Sequence, residues 1–138
     1  HGDDMVPLKI YTTVSGVPIS QLISDNRLNE IIQRTRDGGA EIVKLLKTGS
    51  AFYAPGVSSI EMAYSIIMNE RKILPCCAYA NGEYKINDQF VGLPVILSSK
   101  GVEKIIEIDL SEDEQKELEV SASHVKELCD LIDSFNIL

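Results

Sequence analysis

Ile73-Leu74-Pro75-Cys76-Cys77-Ala78-Tyr79-Ala80-Asn81-Gly82-Glu83-Tyr84-Lys85-Ile86 is the stretch that decides the fold class. Two strand-like runs, Ile73 to Ala80 and Glu83 to Ile86, flank Asn81-Gly82. Asn-Gly is the strongest short hairpin signal, because both residues accept positive φ. Phe90 to Ser98 and Val102 to Leu110 repeat the pattern around Ser99-Lys100-Gly101. A meander of antiparallel strands is therefore predicted.

Helical patterns lie on both sides of this meander. Upstream, Leu8 to Val14 is rich in β-branched and aromatic residues and closes on Ser15-Gly16, which predicts a strand and turn. A polar connection, Ser24 to Arg27, then opens a long helix with apolar stripes at Leu28, Ile31 and Ile32 and at Ile42, Val43, Leu45 and Leu46. Asp37-Gly38-Gly39 interrupts it. Each glycine costs about 1 kcal/mol relative to alanine in a helix, so a break or a close approach of another group is expected there. After the small-residue segment Thr48 to Gly56, the helical pattern resumes at Val57 with Ile60, Ala63, Ile66 and Ile67 on one face. Downstream, Ser111-Glu112-Asp113-Glu114 forms a capping box for a last helix carrying Leu118, Ala122, Val125, Leu128, Cys129 and Ile132. The class is α+β, with antiparallel strands and hairpins packed with long helices, in one domain over residues 1–138.

Composition narrows the function. Hydrophobic residues make up 44% and charged residues 25% of the 138 positions, the balance of a globular domain. A net charge of −8, with its 13 basic residues scattered, argues against nucleic acid and anionic membranes as partners. No run approaches the roughly 20 apolar residues of a membrane span, and His1 to Leu8 has no signal-peptide pattern. Cys76, Cys77 and Cys129 are odd in number and lack metal-ligand spacing, so no metal site and no disulfide scaffold are expected. All three read as small core hydrophobes, and a cytoplasmic location fits. The run Glu112 to Glu119 reads as a solvated helix start, and His124 as a surface histidine. Tyr53, Tyr79 and Tyr84 read as packing residues. No Gly-rich turn follows a strand, so the chain carries no dinucleotide-binding unit of its own.

His1-Gly2-Asp3-Asp4-Met5-Val6-Pro7 carries the chemistry. A histidine beside acidic residues suits general acid–base work, since its free pKa lies near 6.5. Taken alone, it reads more readily as a tag remnant or an incidental terminal residue.

The segment resembles the His-Gly-Asp-x-Met-Val-Pro signature of the lactate and malate dehydrogenase superfamily. Thr13 to Pro18, Arg34-Thr35-Arg36-Asp37-Gly38-Gly39-Ala40-Glu41-Ile42-Val43, Gly49 to Pro55 and Phe90 to Val95 are similar to further parts of that family, so the whole chain is covered. The link between Ile23 and Asn26 is shorter than the family pattern. The resemblance implies the substrate-side, carboxy-terminal domain of a lactate-dehydrogenase-like malate dehydrogenase, with the NAD-binding (Rossmann) half outside this sequence. His1 would relay the proton between (S)-malate and oxaloacetate while NAD exchanges the hydride. Gly2 and Asp3 would position it. Ser50, Ala51 and Pro55 would lie beside substrate and nicotinamide, although Ser50-Ala51 also reads as a tight interhelical packing point. Partners implied are malate or oxaloacetate, the amino-terminal Rossmann domain, and further copies in a homodimer or homotetramer. A lactate dehydrogenase of the same branch is the near alternative, and a non-catalytic oligomerisation module the distant one.

Overall fold

The computed structural model describes residues 4–135, which divide into two compact units: residues 4–51 with 110–118, and residues 52–109 with 119–135. In chain order the elements are β1 (Thr13–Val14), β2 (Val17–Pro18), α1 (Asp25–Arg36), α2 (Gly38–Leu46), α3 (Tyr53–Ile67), β3 (Lys72–Asn81), β4 (Asn87–Ser98), β5 (Gly101–Ile105) and α4 (Glu112–Ser134). The predicted α+β class stands.

In the first unit, the strand expected over Leu8 to Val14 shrinks to the two residues of β1, paired with β2. Lys9 to Tyr11 turn instead, with the Lys9 N–H donating to the Pro7 carbonyl at 3.0 Å and the Thr12 hydroxyl to the Leu8 carbonyl at 2.9 Å. Ile10 and Tyr11 stay exposed, and β propensity without a neighbouring strand to pack against does not hold a ladder. Pro18, lacking an N–H, limits pairing from the other side.

Helix α1 starts where Ser24 accepts from the Arg27 N–H at 3.4 Å. It gives way to α2 at the single residue Asp37, the break expected at the glycines. A side chain at Gly38 or Gly39 would meet nothing within 4 Å, so no other group packs there within the described chain. Backbone bonds still cross the break, from the Asp37 N–H to Gln33 and from the Glu41 N–H to Asp37. At the start of α4 the capping box forms as predicted. The Ser111 N–H donates to Glu114 at 2.9 Å, and the Glu114 N–H donates to the Ser111 hydroxyl at 3.3 Å.

In the second unit, α3 begins at Tyr53, one turn before the expected Val57. Pro55 is tolerated because first-turn N–H groups have no partner inside a helix. Strands β3, β4 and β5 form one antiparallel sheet in that order. Cys76, Ala78 and Ala80 alternate inward along β3, and Val91, Leu93, Val95 and Leu97 along β4. Ile66 of α3 packs against this core, and the fully buried Ser65 donates its hydroxyl to the Leu97 carbonyl at 3.2 Å.

The two-residue hairpin expected at Asn81-Gly82 does not form. Strand β3 pairs with β4, Asn81 opposite Asn87, and Glu83–Lys85 make a 3-10 turn rather than a strand. Tyr84 supplies the reason. It adopts φ of 52°, and its buried hydroxyl donates to the Ile106 carbonyl at 2.7 Å and accepts from the Ile108 N–H at 3.0 Å. Its own N–H donates to Glu107. Strand β5 ends at Ile105, short of the expected Leu110; the Ile106 N–H still donates to the Pro94 carbonyl at 2.8 Å, and the chain beyond turns to Tyr84.

The cysteines divide. Cys76 is buried, but Cys77 and Cys129 are exposed, against the expectation of three core residues. The period of two along β3 forces Cys77 to the opposite face from Cys76. Tyr84 packs as expected, and Tyr79 sits edge-on to Phe90, with ring centroids 5.2 Å apart. Tyr53 is 71% exposed and touches the neighbouring Phe52 ring.

Two measurements check this arrangement. Tyr84→Phe strips partners from the half-buried Ile106 carbonyl and Ile108 N–H, so urea unfolding is expected to show a loss of about 0.5–1.5 kcal/mol with an unchanged m value. A thiol reagent is expected to label Cys77 in the folded chain and Cys76 only on unfolding, because burial raises the Cys76 thiol above its ordinary value. Equal labelling rates for the two would contradict the register.

Candidate active site

His1, Gly2 and Asp3 lie outside the described residues. The segment that follows them, Asp4 to Leu8, is half-buried in the first unit. Arg36, the last residue of α1, reaches it: Nη2 donates to the Met5 carbonyl at 3.1 Å and to Glu117 Oε2 on α4 at 3.0 Å. The basic side chain also sits at the negative end of the α1 dipole. Its Nε is buried with no hydrogen-bond partner among the described residues. Arg36 belongs to the stretch quoted for the family resemblance, but no role was legible for it. Its partners are 31 and 81 residues away.

Ser50 and Ala51 lie on the irregular link between α2 and α3. The helix stops at Lys47, with φ of 64°, and Gly49 follows at φ of 91°, a conformation that favours glycine. Ser50 is exposed and Ala51 half-buried. Pro55 is exposed in the first turn of α3. No hydrogen bond joins Ser50 or Ala51 to residues 4–8 among the described residues. Arg36 thus ties the segment after His1 to α1 and α4.

The central helices are pinned across their break. The Arg34 guanidinium grips Glu41 with two hydrogen bonds, Nε to Oε2 at 3.2 Å and Nη2 to Oε1 at 3.0 Å. The pair raises Arg34 and lowers the Glu41 carboxyl, chiefly through that hydrogen bonding and then through charge. Both groups are open to solvent, so screening limits what the pair contributes. No group of three or more His, Cys, Asp or Glu side chains among the described residues could hold a metal ion. His124 is exposed on α4. No helix among the described residues is long and apolar enough to cross a membrane.

Residues 1–136 match the lactate/malate dehydrogenase, alpha/beta C-terminal domain, family, and the chain belongs to it. A malate dehydrogenase of Chloroherpeton thalassium is 49% identical over 134 residues, 97% of this chain and 43% of that protein. The solved malate dehydrogenase of Salinibacter ruber is 49% identical with a TM-score of 0.94, covering 99% of this chain and 44% of its own. The lactate dehydrogenase of Eimeria maxima, solved with NADH and oxamate, is 39% identical with a TM-score of 0.93, covering 98% and 44%. The chain thus spans less than half the length of these relatives.

Because the Glu41 carboxyl is held low, the Arg34 bridge stabilises the fold above the ordinary carboxylate range. Its contribution is lost as pH falls through the lowered Glu41 value. Glu41→Gln is therefore expected to lower the unfolding midpoint at pH 7, and the gap should close on acidification and in high salt. A gap of constant size would contradict the bridge.

Proposed function

We propose that this chain is the substrate-side half of an NAD-dependent malate dehydrogenase that interconverts (S)-malate and oxaloacetate. The observation that carries the reading is the family match over residues 1–136, with His-Gly-Asp-x-Met-Val-Pro intact at its start and malate dehydrogenases at 49% identity. When bound, NAD takes up or supplies the hydride at C2 of the substrate. His1 handles the proton: neutral, it accepts it from the C2 hydroxyl of malate, and protonated, it returns it to the carbonyl oxygen of oxaloacetate. A group whose pKa lies near the working pH serves both directions. Gly2 and Asp3 would position it.

The residues present fit an edge contact with the nicotinamide and not a cradle for the pyrophosphate. Gly49 has open space where a side chain would stand, and Ser50 and Ala51 are small. Ser50, Ala51 and Pro55 would line the substrate and nicotinamide side, with the Ser50 hydroxyl in reach of a carboxylate. The sequence has no Gly-rich turn after a strand, so an amino-terminal Rossmann half would hold the rest of the cofactor. That half and a second copy of the enzyme, in a homodimer or homotetramer, would cover apolar side chains such as Val57, Ile60 and Ile67 of α3, which are 67 to 78% exposed. Unpaired cysteines, two of them exposed, suit the reducing cytoplasm.

A lactate dehydrogenase of the same branch is the second reading, favoured by the 39% identity to the Eimeria maxima enzyme. Steady-state assays of the intact enzyme separate the two. We expect a higher kcat/KM for oxaloacetate than for pyruvate, and a preference for pyruvate overturns the malate assignment. His1→Asn should lower kcat by about 10²-fold or more with NADH binding little changed. Near-normal kcat would remove the proton relay.

A further inference from the structure

We propose that Asn81 is a deamidation site whose rate is set by opening of the turn that Tyr84 holds. The inference is independent of the dehydrogenase reading. It starts from Asn81-Gly82, the only place in the sequence where glycine follows asparagine. Glycine has no Cβ to crowd its nitrogen, so ring closure meets least hindrance there. In that step the Gly82 backbone nitrogen loses its proton and bonds to Asn81 Cγ, while the Cγ–Nδ2 bond breaks and ammonia leaves. Water then opens the succinimide at either carbonyl, giving aspartate or isoaspartate. Both products carry a new carboxylate.

Asn81 and Gly82 are exposed, so water reaches the amide. The restraint lies in the backbone. The Gly82 N–H, which must become the nucleophile, donates to the Ile86 carbonyl at 2.8 Å. Asn81 stands in β3 opposite Asn87, and an extended residue keeps the next nitrogen turned away from its own side chain. Its N–H donates to Glu83 at 2.8 Å. Ring closure therefore waits on local opening. Tyr84 governs that opening. Its hydroxyl is tied to Ile106 and Ile108 at 2.7 and 3.0 Å, and its N–H to Glu107 at 3.1 Å. Tyr84 and Lys85 take φ of 52° and 62°, which side-chain-bearing residues rarely adopt. The turn thus keeps its shape through these ties against local preference. Where opening is fast beside the reaction, the rate follows the open population.

The test is made on the intact protein, incubated in buffer and in denaturing urea, with isoaspartate and aspartate at position 81 followed by peptide mass spectrometry. Wild type is expected to react more slowly in buffer than in urea. Tyr84→Phe should speed the buffer reaction by about 2- to 10-fold, the factor its lost hydrogen bonds imply, and leave the urea reaction unchanged. Ser65→Ala loses a buried hydrogen bond to Leu97, away from the turn, and should leave the buffer rate as in wild type. Equal rates in buffer and urea overturn the inference, as does an Asn81 that stays intact in urea. A buffer rate unmoved by Tyr84→Phe overturns it too. So does a Ser65→Ala rate raised as far as that of Tyr84→Phe, because global unfolding and not the turn would then be in control. If Tyr84→Phe does not fold, Glu107→Ala, which removes the acceptor of the Tyr84 N–H, decides by the same comparison.

Discussion

Cys76, Ala78 and Ala80 of β3 share one dry face of the sheet with Val91, Leu93, Val95 and Leu97 of β4. A slip of one residue in register would turn a whole strand's set toward water. The rest of the second unit follows from keeping that face dry. Ser65 and Ile66 bring α3 to the core, Tyr84 folds its loop back onto the chain after β5, and Cys77 is left outside. Each full burial of a Val- or Leu-sized side chain stabilises by about 1.5–3 kcal/mol, well above what the exposed ion pairs supply. Packing therefore sets the framework, and the charges trim it.

The first unit is organised differently. Its described residues bury few large apolar groups, Leu28 and Leu118 among them. Arg34 with Glu41 and Arg36 with Met5 and Glu117 tie its helices and its amino-terminal segment together. Polar ties of this kind are directional, unlike apolar packing.

The parts of the fold visible in the sequence were those set by neighbours a few residues apart. The capping box at Ser111 and Glu114, the break at Asp37 and the alternating strands all depend on such short spacings. Asn81-Gly82 misled for the same reason. Its local turn preference lost to Tyr84, whose partners stand 22 and 24 residues on. Leu8 to Tyr11 has strand-forming side chains but no strand to join. Of the candidate site, the motif at His1 was legible through resemblance alone. The support behind it was not, because no spacing rule links Arg36 to Met5 and Glu117. Ser50, Ala51 and Pro55 were named by the same resemblance alone.

The central claim is that His1 carries the proton in a substrate-side half-site. Proton uptake measured with a pH indicator, as a non-reacting 2-oxo acid such as oxamate binds the enzyme loaded with NADH, tests it most directly. Above the ordinary histidine pKa of about 6.5, the account predicts uptake approaching one proton per site as the imidazole charges to meet the carbonyl oxygen, and none in His1→Asn. Uptake that is the same in both proteins, or absent from the wild type while oxamate still binds, would contradict it.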